Sequence, residues 1–321
     1  MRNIPKKYLI TEISEDARRQ YIDAKATFKA WENARDEAAQ VRGGMYWKEQ
    51  DGKHYLIRTT TMNSQKSLGP RSTKTIGIYE KFKVRKEEAE QRLENLTEQL
   101  KRHQKMNRAL DVGRATRLLV ETLTRLSKSG LSNHFIAIGT HALYAYEAES
   151  GTRIGEVAAM TTRDIDLLWD TRRRIQFATH MKRMGASMLG ILKKVDSTFK
   201  LIDGQRYTAV NDEGFEIDII RREAKDIDPH PLRLTEAEEE FSAVQAKNAG
   251  QLLDSKRFSS IIVSTSGHMA RMETIDPLVF VRFKRWIANQ PGRDTLKRKR
   301  DTLQAEVVEE LTEEYLPHLM V

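Results

Sequence analysis

Thr162-Arg163-Asp164-Ile165-Asp166-Leu167-Leu168-Trp169 and, further along the chain, Phe215-Glu216-Ile217-Asp218-Ile219-Ile220 are the stretches whose reading decides the fold. Each alternates acid and bulky apolar residue, the pattern of a half-buried strand. Side chains on a strand point to opposite faces in turn, so Asp164 and Asp166 share one face while Ile165 and Leu167 enter the core. Two carboxylates on one face repel and raise each other's pKa unless a cation lies between them. An all-oxygen donor set suits Mg²⁺ or Mn²⁺, which take their remaining ligands from water and substrate phosphates. Asp218 repeats the pattern and supplies a third carboxylate, with Glu216 on the same face as runner-up. Three acids on two strands can hold two metals about 3.5–4 Å apart.

Upstream, His134-Phe135-Ile136-Ala137-Ile138 reads as a short strand and His141-Ala142-Leu143-Tyr144-Ala145-Tyr146 has helical spacing. Gly139 and Thr140 lie between them, a strand-turn-helix junction whose N–H groups and hydroxyl suit phosphate. His141 reads as a packing or capping residue. Among basic residues, Lys284 in Phe283-Lys284-Arg285-Trp286 is a candidate partner for a triphosphate, and Lys193, with Lys194 beside it, is a second. Trp169 and Trp286 read as core.

Around these segments, Ser14 to Arg42 reads as one or two exposed helices stopped by Gly43-Gly44. Met45–Lys48 and His54–Arg58 flank Asp51-Gly52 as a hairpin, and Ser67 to Ser72 reads as a loop. Lys81 to Leu110 predicts a long basic helix, and Arg114 to Ser129 an amphipathic helix stopped by Gly130. Arg174 to Val195 predicts helix, Phe199 to Val210 strand, and everything from Glu236 onward mostly helix, ending in an acidic helix over Glu306 to Tyr315.

The 321 residues suffice for two domains and a sizeable core. With no cysteine in the chain, disulfides, thiolate metal sites and a cysteine nucleophile are excluded, which points to the cytoplasm. No apolar run reaches the roughly 18 residues of a membrane span, and the first sixteen residues lack the pattern of a secretory signal. The charge is +9, from 55 Lys and Arg against 46 Asp and Glu, which favours polyanionic partners. Lys81 to Arg108 holds nine basic and five acidic residues, and Lys284 to Arg300 seven and one.

The order Gly139-Thr140, Asp164-Ile165-Asp166, Asp218 resembles the DNA polymerase β-type nucleotidyltransferase superfamily. The strings around these residues look like a bacterial family of nucleotidyltransferase-fold proteins, over nearly the whole chain. A more distant similarity is to the abortive-infection nucleotidyltransferase toxins of phage defence. The resemblance implies that Gly139 and Thr140 hold nucleotide phosphate. It makes Asp164 and Asp166 metal ligands, Asp218 a third ligand or the base, Lys284 the triphosphate lysine, and Arg300-Asp301 the terminal motif. Two features depart from the pattern. Thr140 stands where serine is common, and 23 residues separate it from Asp164, more than is usual.

The expected fold is therefore α+β: a polymerase β-like core with a mixed sheet at 130–222, a helical arm with a small hairpin at 1–129, and a helical C-terminal domain at 223–321. The expected chemistry moves a nucleoside monophosphate from an NTP to a hydroxyl and releases pyrophosphate. The basic helices favour RNA as acceptor, and the toxin resemblance suggests the tRNA 3′ end. Protein nucleotidylylation, a silent nucleic-acid-binding module and a defence-complex subunit with a partner protein are the alternatives.

Overall fold

The computed structural model describes residues 7–60, 64–225 and 228–320. It forms two compact units, one made of the chain up to Arg18 together with Asp111 onward, the other of Arg19–Leu110. The architecture is α+β.

In the larger unit a mixed sheet runs, in spatial order, Leu232–Arg233, Ser242–Ala246, Glu216–Arg222, Asp164–Trp169, Phe135–Ile138. The two acid-bearing strands are parallel neighbours. Parallel neighbours need a crossover, supplied here by the helices Arg174–Met184 and Met188–Leu192. Phe135–Ile138 runs antiparallel to Asp164–Trp169 on its other side. Gln205–Val210 pairs antiparallel with the beginning of Glu216–Arg222. Ile165, Leu167, Ile217 and Ile219 are fully buried, so the apolar half of each alternation anchors its strand. Helix Arg117–Lys128 covers the core with Leu119, Val120, Leu123 and Leu126, and Thr116 caps its first turn.

Two expectations need correction in this unit. The helix expected over Arg174 to Val195 is two helices, because Gly185 closes the first in a left-handed conformation and Ser187 caps the second. The region from Glu236 contains three strands, with the short helix Ala249–Asp254 after the first, before its two long helices begin. Ser242–Ala246 joins the main sheet, and Arg257–Val263 pairs with Met269–Ile275 as an antiparallel hairpin. Ser259-Ser260-Ile261-Ile262-Val263 is rich in residues that favour a pleated surface, and the tight turn at Ser264–His268 lets the chain fold back on it. Helices Pro277–Ala288 and Thr295–Tyr315 follow, capped by Asp276 and Asp294.

The smaller unit is an antiparallel helix pair with a sheet at one end. Gln20 donates to Asn107 at 2.9 Å, Trp31 to Thr97 at 3.1 Å and Arg85 to Gln40 at 2.8 Å, so the start of helix Glu15–Gln40 lies along the end of helix Thr73–Ala109. Between the helices, Gly44–Gln50, Lys53–Thr59 and Gln65–Pro70 form a three-stranded meander. The expected hairpin is its first half, with both Asp51 and Gly52 at positive φ. The loop expected at Ser67 to Ser72 is instead largely the third strand, at the sheet edge, where Gly69 and Pro70 are tolerated. The long helix starts at Thr73 and not at Lys81, because Ser72 and Thr75 close a capping box ahead of it.

A candidate active site at the sheet edge

Register brings the acids together. Asp218 pairs directly with Asp166 across the parallel strands, and Glu216 with Asp164. All four occupy one face because each is separated from the next in its strand by a single buried residue. On the far side of the central strand Ile138 stands opposite Asp166, so Gly139 follows at the same level. A Cβ on Gly139 would lie 2.3 Å from Asp166 Oδ2, and its φ is +69°. Only glycine lets this backbone turn so close to the carboxylate.

Threonine hydroxyls hold the two flanking carboxylates. Thr208, opposite Asp218 in the register, donates to Asp218 Oδ1 at 2.5 Å, and Thr162 donates to Asp164 Oδ1. Burial, then the charges of Asp164 and Asp218, push Asp166 up to about 7, against the opposing pull of Lys284 and Arg300. Asp218 is raised as well, mainly by burial, with Thr208 and Lys297 working the other way.

Among the described residues no three acidic or imidazole side chains stand close enough to form a ready-made metal cluster. The donor set nevertheless fits a hard divalent cation. All its donors are carboxylate oxygens, and burial together with the neighbouring carboxylates disfavours the bare charge on Asp166, which a cation would offset. Asp164, Asp166 and Asp218 are the residues that could hold such a metal.

The basic side of the site comes from the two C-terminal helices. Lys284 is buried and donates to Asp301 Oδ1 at 2.8 Å; Arg293 donates to Asp301 Oδ2 at 2.8 and 2.6 Å. Burial lowers the pKa of Lys284, while Asp301 and, less strongly, Asp166 oppose this. Arg300 bonds the Thr161 carbonyl at 3.5 Å through one nitrogen and leaves its buried Nε unpartnered. Lys284 and Arg300 thus act electrostatically on Asp166, and Lys297 on Asp218.

The remaining candidates fall elsewhere. Thr140 is buried and its hydroxyl accepts from Gln304 at 3.0 Å; Gln304 also reaches the Ala159 carbonyl at 2.6 Å. The side chain therefore ties the turn to the last helix, and the 23-residue insertion is folded against the same glutamine. Asp301 is fully buried inside its ion triad. Lys193 is exposed and pairs with Glu239 at 3.1 Å, so it is not among the cations acting on the acids. His141 is buried between the rings of Tyr144 and Phe215 with both nitrogens unpartnered, and burial lowers its pKa to about 4.

Thr162, Thr208, Arg293, Lys297 and Gln304 were not foreseen. For Thr208 the signal was available, because Tyr207-Thr208-Ala209 places a lone hydroxyl on a strand beside the acids. Nothing in Gly292-Arg293-Asp294 distinguishes Arg293 from a surface residue. Among the described residues no helix is long and apolar enough to cross a membrane.

Comparison with known proteins adds one match. The sequence pattern of a family described as Nucleotidyltransferase fits residues 117–321, which include the whole of this site. No curated protein and no solved structure matches the chain.

Proposed function

The chain belongs to the nucleotidyltransferase family, and from that premise we propose that it moves a nucleoside monophosphate from an NTP to an RNA hydroxyl, with Asp164, Asp166 and Asp218 as the catalytic acids. What supports this reading most is the pairing of Asp218 with Asp166 beside Gly139. The register sets Asp164, Asp166 and Asp218 on one face of two adjoining strands.

In the proposed reaction the acceptor oxygen forms a bond to the α-phosphorus as the bond to the β-phosphate oxygen breaks. The hydroxyl proton leaves to a carboxylate, for which Asp218 is the candidate, and pyrophosphate departs. Mg²⁺ or Mn²⁺ held by the three aspartates would neutralise phosphate charge and lower the pKa of the attacking hydroxyl. The chain's own groups do the rest. Gly139 gives the phosphates access to the backbone N–H groups of the turn. Lys284 and Arg300 hold positive charge where the triphosphate's negative charge collects. Lys284 keeps Asp301 as its partner until phosphate competes for it. Thr140, Asp301 and Lys193 enter as support, the first two through packing and the last at the surface.

The acceptor is taken to be RNA because the net charge is +9. A tRNA 3′ end, a toxin-like role in phage defence and a cytoplasmic setting belong to the same proposal. Transfer to a protein hydroxyl is the second reading, favoured by no separate observation. The test incubates the protein with Mg²⁺, each labelled NTP and total RNA. Label should move to RNA and Asp164→Ala should abolish it; undiminished labelling by that variant refutes the assignment.

A further inference from the structure

One end of the smaller unit is strongly basic, its charge shared between the meander and the first turns of the long helix that follows it. Residues 42–86, which span the meander and the start of the second helix, contain eleven Lys and Arg against three Asp and Glu, a net +8 of the chain's +9. The rest of that helix, residues 87–110, has five of each and is neutral. Helix Glu15–Gln40 has five basic and six acidic residues. The excess read from sequence over Lys81 to Arg108 therefore comes from its first six residues alone.

Aromatic rings are interleaved with these cations. Arg71 lies over the Trp47 ring at 5.6 Å from its centroid, Trp47 meets Tyr79 at 5.9 Å, and Lys83 lies over Tyr79 at 5.8 Å. Arg58 covers Phe82 at 4.4 Å. Arg71 and Lys83 are exposed, whereas Trp47, Tyr79 and Phe82 are half-buried. The charged heads of Arg71 and Lys83 lie over the rings while their side chains stay exposed, and the Arg58 guanidinium over Phe82 is held by the carbonyls of Arg42, Gly44 and Thr59.

An acidic protein surface would be attracted by the charge alone. Flat rings alternating with oriented cations match a chain of phosphates carrying stackable bases. We propose that the meander end of the smaller unit, centred on Arg71, Trp47, Tyr79 and Lys83, is a binding site for single-stranded RNA. It lies outside residues 117–321, so the family match says nothing of it. The choice of RNA over DNA rests on the RNA-acceptor reading above; binding at the meander end does not depend on the acids.

The experiment measures binding of a fluorescent single-stranded RNA to the full chain by anisotropy, across a salt series, beside the transfer assay. Arg71→Glu with Lys83→Glu should weaken binding at least tenfold and flatten its salt dependence, with an unchanged melting curve. Lys105→Glu with Arg108→Glu, on the neutral part of the same helix, should bind as the wild type does. Asp166→Asn should also bind normally. Equal binding by wild type and the Arg71/Lys83 variant overturns the proposal, as does a chain that binds only an acidic protein. Normal binding with no label transferred to RNA overturns the acceptor reading and leaves the site at the meander standing.

Discussion

Asp166, half-buried, and Asp301, fully buried, are two aspartates of the same compact unit with opposite surroundings. Asp301 sits between Lys284 and Arg293, which together saturate both of its oxygens. Asp166 has Asp218 beside it, Asp164 two residues away on the same face, and glycine backbone against its other flank. A carboxylate surrounded by its own countercharges is a structural element, because removing it strands two cations. A carboxylate raised to about 7 by burial and, after it, by other carboxylates carries an unfavourable charge that an added cation or a proton relieves. The contrast separates what holds the fold together from what the fold holds in readiness.

The comparison breaks most sharply under Asp166→Asn. Transfer should fall by about 10³-fold or more, about 4 kcal/mol of barrier, while the melting temperature stays level or rises. A variant that melts early yet still transfers would reverse the assignment of the two aspartates. Asp301→Ala should do the opposite first, lowering unfolding free energy by about 3–5 kcal/mol in denaturant titration. Adding Lys284→Met to Asp301→Leu should recover much of that loss, and a simple sum of the two single effects would show that the pair is not coupled.

Gly139→Ala tests the flank. Its Cβ must displace either the turn or Asp166, and a shift of about 1 Å at the reacting groups costs on the order of 10²-fold in rate. Retained kcat would place the chemistry elsewhere. A smaller effect is read in pH. The folded-state pKa of Asp166 is raised, so between about pH 4 and pH 7 the unfolded chain binds fewer protons than the folded one. The contribution of Asp166 to the stability of the metal-free protein therefore falls as pH rises through that window, while His141, lowered to about 4, contributes in the opposite sense; wild type minus Asp166→Asn isolates the first, and that difference should shrink on adding Mg²⁺. Smallest of all, Lys193→Ala removes an exposed pair with Glu239 and should change stability by less than about 0.5 kcal/mol and transfer not at all.

Much of the site was legible because it is written at short range. A period of two put Asp164 and Asp166 on one face, and a glycine between strand and helix marked the turn. The C-terminal hairpin was missed although Ile261-Ile262-Val263 favours a strand, because a short apolar run reads equally as part of a helix until its partner returns from Met269. Thr140 was assigned its role from the chemistry of a hydroxyl at a helix start. Its actual partner, Gln304, is 164 residues away.

Composition and alternation by themselves pointed to the α+β class, to the acid-bearing face of each strand and to a turn at Gly139-Thr140. These follow from the backbone's own periodicity and sterics, which act between neighbours in the chain. Tertiary structure alone decided that Asp218 stands against Asp166, that Gly139 must be glycine beside that carboxylate, that Lys284 is neutralised by Asp301, and that Arg71 and Lys83 lie over the rings of Trp47 and Tyr79. Each of these depends on which distant segments pack together, and burial and Coulomb energies are functions of that distance in space.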